Sequence, residues 1–241
     1  MKEKIIVTGS NGQLGTTLVT MLIDLGYVVI GLDRTHSEAT LANYVKVNLD
    51  ITDEIAVKEF FDGIADDELI AGLVNNAGTA VFTPFADRTY DEIKSVLDVN
   101  IVAAIFITQQ FMRISEENKC QKRVVNIGSI YGHVAPDLTI YGDTPRMSSE
   151  IYGMTKAAII NFTQYLASYY KGVNARFNCV SPGGIESSQG PDFKSNYSKK
   201  VPLNRMADVA EIAEVICFLI SDKSSYINGE NIFVDGGLTK W

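Results

Sequence analysis

Short apolar runs rich in β-branched residues alternate along the chain with longer stretches in which apolar positions recur at helical spacing. The short runs predict strands and the longer stretches predict amphipathic helices. The predicted strands are Lys4–Thr8, Val28–Leu32, Tyr44–Asn48, Gly72–Asn75, Arg123–Ile127, Ala175–Val180 and Asn231–Val234. The predicted helices are Leu14–Leu25, Glu54–Phe61, Tyr90–Ile114, Ile151–Tyr170 and Val209–Ile220. Because strands and helices alternate, we expect an α/β fold, a doubly wound parallel sheet of seven strands with helices on both faces.

Length and composition favour one domain. The 241 residues are 46% hydrophobic, enough to bury one large core, so we interpret residues 1–241 as a single domain. Two polar stretches, at residues 133–150 and 183–205, lack clear periodicity. Long loops in a compact domain commonly carry function, and we therefore expect these two to border a substrate.

Charge and cysteine content exclude several classes of partner. The formal net charge is −8, so no broad basic face is available for nucleic acid. The three cysteines are widely separated, which fits free thiols in a reducing compartment, and the longest apolar run is far shorter than the roughly 20 residues of a membrane span. His36 and His133 are the only histidines and have no partners at metal-ligand spacing, so neither a zinc site nor a Ser-His-Asp hydrolase is expected. We expect a cytoplasmic protein that binds no nucleic acid, membrane or metal.

A glycine-rich turn follows the first strand and leads into the first helix. Its glycines are Gly9, Gly12 and Gly15, with Asn11 and Leu14 between them. Between a strand and a helix, such a turn lets the backbone approach a pyrophosphate at the helix N-terminus. A tight turn that serves only close helix packing is the alternative interpretation.

An acidic residue ends the second strand, eighteen residues after Gly15. The carboxylate of Asp33 can accept hydrogen bonds from the adenosine ribose and would repel a 2′-phosphate, which favours NAD(H). Arg34 follows directly and could accommodate that phosphate, so NADP(H) stays possible.

Tyr152 and Lys156 are four residues apart on a predicted helix and therefore share a face. Tyr90 and Lys94 have the same spacing, and we interpret that pair as a solvated helix surface. Ser129 distinguishes the two pairs, because it follows a strand and so lies on the same sheet edge as the glycine-rich turn. Removing a hydride from an alcohol requires loss of the hydroxyl proton, and an isolated tyrosine is a poor base at neutral pH. We expect the Lys156 cation to stabilise the Tyr152 phenolate and Ser129 to hold the substrate oxygen.

Several further motifs join these groups in a recognisable order. They are Asn75-Asn76-Ala77-Gly78, Asn100, Ser181-Pro182-Gly183 and Val234-Asp235-Gly236-Gly237. From Lys4 onward, the whole set resembles the short-chain dehydrogenases/reductases of about 250 residues. The resemblance implies a Rossmann-like fold and an NAD(P)-dependent oxidoreductase that interconverts a secondary alcohol and a ketone, with Tyr152 as general acid/base.

The same resemblance implies roles for individual residues. Asn100 would hold a water that relays protons to Lys156, and Lys156 would also bond the nicotinamide ribose. Asp50 would reach the adenine and Asn76 would line the cofactor cleft. Ser187 would contact the carboxamide or the phosphates. The remaining residues assigned to cofactor binding are Ile51, Ala77, Gly78, Pro182, Gly183 and Ile185.

Three departures from the family pattern stand out. Gln13 replaces the usual middle glycine, which gives a spacing typical of longer sugar-nucleotide enzymes. The 23 positions from Ser129 to Tyr152 exceed the usual gap, which predicts an inserted loop over the substrate pocket. Gly153 and Thr155 stand where small polar residues are usual, and we expect little effect from them.

Alternatives to this interpretation remain. A sugar-nucleotide epimerase or dehydratase would need a separate C-terminal substrate domain, and only 58 residues follow Gly183. An acyl-carrier-protein reductase would favour NADPH and a basic face, which Asp33 and the charge of −8 oppose. A cofactor-binding regulator without catalysis is opposed by the complete set of Asn100, Ser129, Tyr152 and Lys156.

The substrate and the assembly are less defined. The two loops offer Tyr141, Arg146 and Lys194, with Lys199, Lys200 and Arg205 adding to a local basic excess. We expect a polar, anionic or sugar-like small molecule, the alternative being an ordinary solvated loop surface. The stretch 193–206 resembles reductases associated with flagellin glycosylation and nonulosonate synthesis. The long helices imply a homo-oligomer, a tetramer or a dimer, since family members commonly pair them.

Overall fold

A single parallel sheet organises the molecule. The computed structural model describes residues 2–38, 40–64, 69–114, 120–142 and 147–240. The strands are β1 Lys4–Thr8, β2 Val28–Asp33, β3 Tyr44–Asn48, β4 Ile70–Asn75, β5 Lys122–Ile127, β6 Ala175–Pro182 and β7 Asn231–Val234. Their spatial order is β3-β2-β1-β4-β5-β6-β7, and every neighbouring pair is parallel. The predicted seven-stranded, Rossmann-like sheet is confirmed.

Helices cover both faces of this sheet. They are α1 Gln13–Asp24, α2 Glu54–Asp62, α3 Tyr90–Leu97, α4 Ala104–Arg113, α5 Glu150–Tyr169, α6 Pro191–Ser198 and α7 Val209–Ile220. Successive strand residues face opposite sides of a sheet. Ile5 and Val7 therefore pack with α1 and α7, whereas Ile6 packs with α2, α4 and α5. The two apolar layers hold the carboxyl ends of the strands in fixed register.

The strand order reverses between β1 and β4. The chain runs outward from β1 through β2 to β3 and then crosses back to place β4 on the other side of β1. Loops after neighbouring strands diverge at such a reversal, and their separation opens a crevice at the carboxyl edge of the sheet. This crevice is the position in the fold where a ligand site is expected.

The long predicted helix over residues 90–114 departs from regular α geometry in its middle. Residues Asp98–Ala103 form a π-helical segment between α3 and α4. A π segment inserts one extra residue per turn and often lies at a functional position, and here it contains the buried Asn100.

The same helix is also the one candidate for a membrane span among the described residues. From Tyr90 to Arg113 it is long and apolar enough to cross a membrane by length and composition, although 44% of its apolar window is buried in the fold. Core helices pass the same test, and Ile107 and Phe111 pack fully against the sheet. We interpret it as a core helix.

The second predicted loop contains a helix. The stretch 183–205 was expected to lack regular structure, but α6 forms within it. Pro191 begins that helix and Tyr197 is its one buried residue, so its sequence has no apolar stripe to reveal it.

The cysteines Cys120, Cys179 and Cys217 are free thiols, as expected, and burial raises the pKa of Cys179 to about 11 and of Cys217 to about 12.

Candidate active site

A cleft of about 640 Å³ opens at the carboxyl edge of the sheet, where the strand order reverses. This volume is in the range of known cofactor and ligand sites. The glycine-rich turn, the end of β2 and the loops after β3 and β4 form its walls. Residues assigned to cofactor binding from sequence that line the cleft are Gly9, Gly12, Leu14, Asp33, Arg34, Asp50, Ile51, Asn76, Ala77 and Gly78.

The glycine-rich turn has the features required to hold a phosphate. Gly9 has a φ of +63°, and a Cβ there would lie 2.8 Å from the Cα of Ala77. Gly12 caps α1 without a side-chain hydrogen bond, and the first turn of α1 has no acidic residue. The N–H groups at this helix end are therefore available to an anion, and their dipole favours a pyrophosphate. The cleft fits a dinucleotide at this end.

Gly15 has a different role from the one expected. It does not line the cleft, and a Cβ at this position would lie 2.1 Å from the carbonyl oxygen of Gly9. Gly15 therefore lets α1 pack directly on the turn, so the close-packing interpretation holds for this glycine.

Thr8 and Asn76 fix the turn to the loop after β4. The Thr8 hydroxyl accepts hydrogen bonds from the N–H groups of Asn76 and Ala77, each at 3.0 Å. The Asn76 side chain donates to the carbonyl oxygens of Thr8 and Gly9, each at 2.9 Å. These bonds hold two walls of the cleft together. Thr8 was not among the residues singled out from the sequence.

The acidic residues at the adenosine end are held by local hydrogen bonds. Asp33 accepts from the backbone N–H of Asn11 at 3.0 Å, which fastens the end of β2 to the glycine-rich turn. Asp50 accepts from the backbone N–H and the hydroxyl of Thr52, at 2.9 and 2.7 Å, and these bonds lower the pKa of Asp50. Both carboxylates line the cleft as fixed acceptors.

Lys156 lies where the cleft meets the middle of the sheet. Its Nζ donates to the carbonyl oxygen of Ile127 at 2.7 Å and lies 5.6 Å from the centroid of the Tyr152 ring. Ser129, two residues beyond Ile127, is 6% exposed and accepts a hydrogen bond from the N–H of Tyr131 at 3.2 Å. Strand β5 and helix α5 thus bring the three predicted groups to one place.

Two glycines allow the close approach that places Ser129 beside α5. A Cβ at Gly132 would lie 2.6 Å from the carbonyl carbon of Lys156, and a Cβ at Gly153 would lie 2.9 Å from the carbonyl oxygen of Tyr131. The 3₁₀ turn Ile130–Gly132 therefore packs backbone to backbone on the helix. The expectation that Gly153 matters little is wrong, because a larger residue would push this turn away.

The comparison pair on the other helix lies on the surface, as expected. Tyr90 is 78% exposed, and Lys94 forms an ion pair with Asp98 at 2.6 Å. Neither residue lines the cleft, although Asp98 does.

Asn100 uses both hydrogens of its side-chain amide and accepts one hydrogen bond. Its Oδ1 accepts from the N–H of Thr79 at 2.8 Å, and its Nδ2 donates to the carbonyl oxygen of Thr79 at 3.0 Å and to the hydroxyl of Thr155 at 3.1 Å. Asn100 Oδ1 and Lys156 Nζ both lie 3.6 Å from the Cβ position of Gly78. Asn100 is therefore placed beside Lys156 at the rim of the cleft.

The loop after β6 approaches the cleft from the opposite side. Pro182 ends β6, and the N–H of Gly183 bonds the carbonyl oxygen of Val234 at 2.9 Å. Ile185 forms an isolated bridge to Ala207. Ser187 is exposed and does not line the cleft, its N–H being bonded to Gln189 Oε1 at 2.7 Å.

Gln13 connects this loop to the glycine-rich turn. Its Nε2 donates to the carbonyl oxygen of Glu186 at 2.6 Å, and its side chain lines the cleft. The residue that replaces the family's middle glycine therefore spans the two sides of the cleft. From the sequence it was visible only as a departure from the pattern.

The substrate loops meet over a second pocket of about 500 Å³. Its lining combines phenol rings, aliphatic side chains and one ion pair, from Tyr131, Val134, Ala135, Asp137, Ile140, Tyr197, Lys200, Leu238 and Thr239. Burial raises the pKa of Tyr131 and raises that of Tyr197 to about 12, so both phenols stay neutral. Tyr141 contacts the ring of Phe193 and joins the apolar cluster beneath this pocket.

The basic excess expected in the second loop is mostly neutralised. Lys194 pairs with Glu186 at 2.9 Å, Lys200 with Asp137 at 2.9 Å, and Arg205 with Glu211 at 2.6 Å. These ion pairs weaken the argument for an anionic substrate, and the charge of the substrate stays a prediction. Hydrogen bonds from Thr139 and the pair with Lys200 lower the pKa of Asp137 to about 2, so this bridge between the two loops is charged at neutral pH. Arg146 lies outside the described residues.

Among the described residues, no cluster of three or more His, Cys, Asp or Glu side chains is placed to hold a metal ion.

Comparison with known proteins gives consistent matches over nearly the whole chain. Residues 14–239 match a family model described as enoyl-(acyl carrier protein) reductase. A 3-oxoacyl-[acyl-carrier-protein] reductase of Aquifex aeolicus is 31% identical, covering 97% of this chain and 96% of that protein. A short chain dehydrogenase from Leptospira borgpetersenii, solved with bound NAD+, is 37% identical with a TM-score of 0.93, covering 99% of this chain and 93% of that one. A 4-hydroxyisoleucine dehydrogenase complexed with NADH is 27% identical with a TM-score of 0.87, and both chains are covered completely.

Proposed function

The chain belongs to the short-chain dehydrogenase/reductase family, an NAD(P)-dependent oxidoreductase class, and we propose that it interconverts a small polar secondary alcohol and its ketone with NAD(H) as the favoured cofactor. The observation that carries this proposal is the convergence of Ser129, Tyr152 and Lys156 beside a dinucleotide-sized cleft.

Different residues of the cleft would hold different parts of the cofactor. The N–H groups in the first turn of α1 would hold the pyrophosphate, and Asp33 and Asp50 would accept hydrogen bonds from the adenosine. Asn76 and Gly78 would line the path toward the nicotinamide end, where Lys156 would bond the ribose. When bound, NAD+ accepts a hydride from the alcohol carbon and NADH returns one to the ketone.

The proton moves through the chain's own groups. In the oxidation direction, the Tyr152 hydroxyl oxygen takes the proton from the substrate hydroxyl, and in reduction Tyr152 donates it back. The Lys156 cation stabilises the phenolate form of Tyr152. Ser129 holds the substrate oxygen and stabilises the charge that develops on it. The buried position of Ser129 and Lys156 strengthens these interactions by excluding water.

A polar substrate of modest size is supported by the second pocket. Neutral phenols and the Asp137–Lys200 pair provide directional partners, while Val134, Ile140 and Leu238 leave room for only a short apolar portion. The Asp33 carboxylate supports NAD(H), since it would repel a 2′-phosphate.

Reduction of the ketone of a 3-oxoacyl group carried on an acyl carrier protein is the second candidate, and the Aquifex relative is the observation that favours it. Such an enzyme is expected to present a basic face to its carrier protein, which the net charge of −8 opposes.

Cofactor absorbance tests both candidates. Wild-type protein and Tyr152→Phe are assayed with NAD+ and a panel of sugar alcohols, sugar phosphates and hydroxy amino acids, and with NADH or NADPH and acetoacetyl-CoA. Turnover of a polyol or hydroxy acid that depends on Tyr152 supports the first proposal. Preferred turnover of the thioester with NADPH replaces it with the second, and no Tyr152-dependent turnover of any probe rejects both.

A further inference from the structure

One hydroxyl group joins the π segment to the helix that carries Tyr152 and Lys156. Thr155 is 1% exposed, and its Oγ1 donates to the carbonyl oxygen of Tyr152 at 2.8 Å. The same oxygen accepts a hydrogen bond from Nδ2 of Asn100 at 3.1 Å. Thr155 therefore contacts both the backbone of the proton-transfer residue and the side chain of Asn100.

The Thr155 hydroxyl is the acceptor for one of the two side-chain N–H groups of Asn100. Thr79 occupies Oδ1 and one hydrogen of Nδ2, and Thr155 accepts the other hydrogen. Asn100 is 3% exposed, so no bulk water can replace a lost partner. Without the Thr155 hydroxyl, one hydrogen of Asn100 Nδ2 must either stay without an acceptor or find one by turning the amide away from Thr79.

We propose that Thr155 is a positioning residue, which couples Asn100 to helix α5 so that Asn100, Tyr152 and Lys156 keep one relative geometry during proton transfer. The inference rests on the proposed function of these three residues. Thr155 is almost fully buried and does not line the cleft, so its contribution passes through its two hydrogen bonds.

The fold supplies a matched control on the same helix. Thr163 is fully buried, donates from Oγ1 to the carbonyl oxygen of Ile159 at 2.8 Å and accepts from Nδ2 of Asn126 at 2.9 Å. Thr163→Val therefore removes a buried hydroxyl with the same kinds of partner as Thr155→Val does. It differs in that neither of the partners of Thr163 is Asn100 or Tyr152. Both variants should lose stability, because each leaves a buried amide without an acceptor.

The test measures kcat, the KM for NAD+ and the pH profile of kcat for wild type, Thr155→Val, Thr155→Ser and Thr163→Val with the best probe from the panel above. We expect Thr155→Val to lower kcat by about tenfold or more and to move the pH of half-maximal kcat, with the KM for NAD+ unchanged, since small misplacements of reacting groups are costly. Thr155→Ser should restore the wild-type values, and Thr163→Val should keep them. Equal kcat values and pH profiles for the two valine variants would overturn the proposal.

A substrate-free measurement separates this inference from the proposed function. In protein labelled with ¹⁵N at asparagine, the Asn100 side-chain amide signals should shift and exchange faster with solvent in Thr155→Val, whereas the Asn126 signals should respond in Thr163→Val. If no probe is turned over, the proposed function fails. The Asn100 signals still test whether Thr155 holds the Asn100 amide. Asn100 signals that are identical in wild type and Thr155→Val would refute it.

Discussion

Replacing Thr8 by valine tests how far the cofactor cleft depends on a single hydroxyl. Valine keeps the shape and the β-branched side chain that suits the end of β1, and it removes only Oγ1. That oxygen accepts two backbone hydrogen bonds, from Asn76 and Ala77, at a position that is 2% exposed. The hydroxyl also donates to the carbonyl oxygen of Val74 at 3.4 Å, so the substitution deletes one group that serves two donors and one acceptor.

The magnitude follows from the donors that lose the Thr8 oxygen. The Asn76 N–H also donates to the carbonyl oxygen of Val74 at 3.0 Å and keeps that acceptor, so the Ala77 N–H is the one left unpaired. A buried N–H without a partner costs about 1–3 kcal/mol, and Ala77 is only partly buried at the cleft wall, where entering water can satisfy part of the loss. We therefore expect the free energy of unfolding to fall by about 1–2 kcal/mol, with weaker binding of NADH because the wall formed by residues 76–78 moves.

Urea denaturation with equal m-values would measure the loss of stability, and NADH fluorescence titration would measure the cofactor affinity. Thr8→Ser keeps an oxygen at this position and should recover most of both quantities. A free energy of unfolding for Thr8→Val within about 0.5 kcal/mol of the wild-type value would be the effect of an ordinary surface substitution. Such a result would show that this hydroxyl does not hold the two walls of the cleft together.

Four further outcomes are expected. Tyr152→Phe should lower turnover by about a hundredfold or more without changing NADH affinity, whereas Tyr90→Phe should leave turnover unchanged in the same assay; equal losses would contradict the assignment. Asp33→Ala should reduce the preference for NAD(H) over NADP(H) by roughly tenfold in fluorescence titrations, and a wild-type preference for NADP(H) would refute the role of Asp33. Gln13→Ala should speed NADH release by about three- to tenfold in stopped-flow measurements, because it removes one hydrogen bond across the cleft, and an unchanged rate would exclude that bond as a restraint. Light scattering at micromolar concentration should find a homo-oligomer, because apolar side chains of the two long helices remain exposed, and a monomer would contradict this.

The sequence predicted the sheet because its signals are local. The strands β4, β5 and β6 are buried on both faces, so most of their residues are apolar whichever neighbours pack against them. Because the strands are parallel, their carboxyl ends lie at one edge of the sheet. Ser129, Asp33 and the glycine-rich turn follow or end such strands and therefore lie at that edge. That part of the site required only chain order.

What the sequence did not predict depends on contacts between distant residues. The π segment at Asn100 is accompanied by hydrogen bonds to Thr79 and Thr155, which lie 21 and 55 positions away. The pairing of Lys200 with Asp137 crosses from one loop to the other, and no spacing rule could have shown that this cation is neutralised. Helix α6 lacks an apolar stripe and buries one tyrosine, so periodicity could not reveal it.

The order of the strands also bears on how the chain assembles during synthesis. The strand made first, β1, lies inside the sheet, and β2, β3 and β4 complete both of its flanks before β5 has been made. A growing chain therefore exposes first the segment that contains most of the cofactor cleft. Strands β5, β6 and β7 then join one open edge in the sequence in which they leave the ribosome, each covering the edge left by the one before. Vectorial folding of this kind never requires a late strand to insert between two that have already paired.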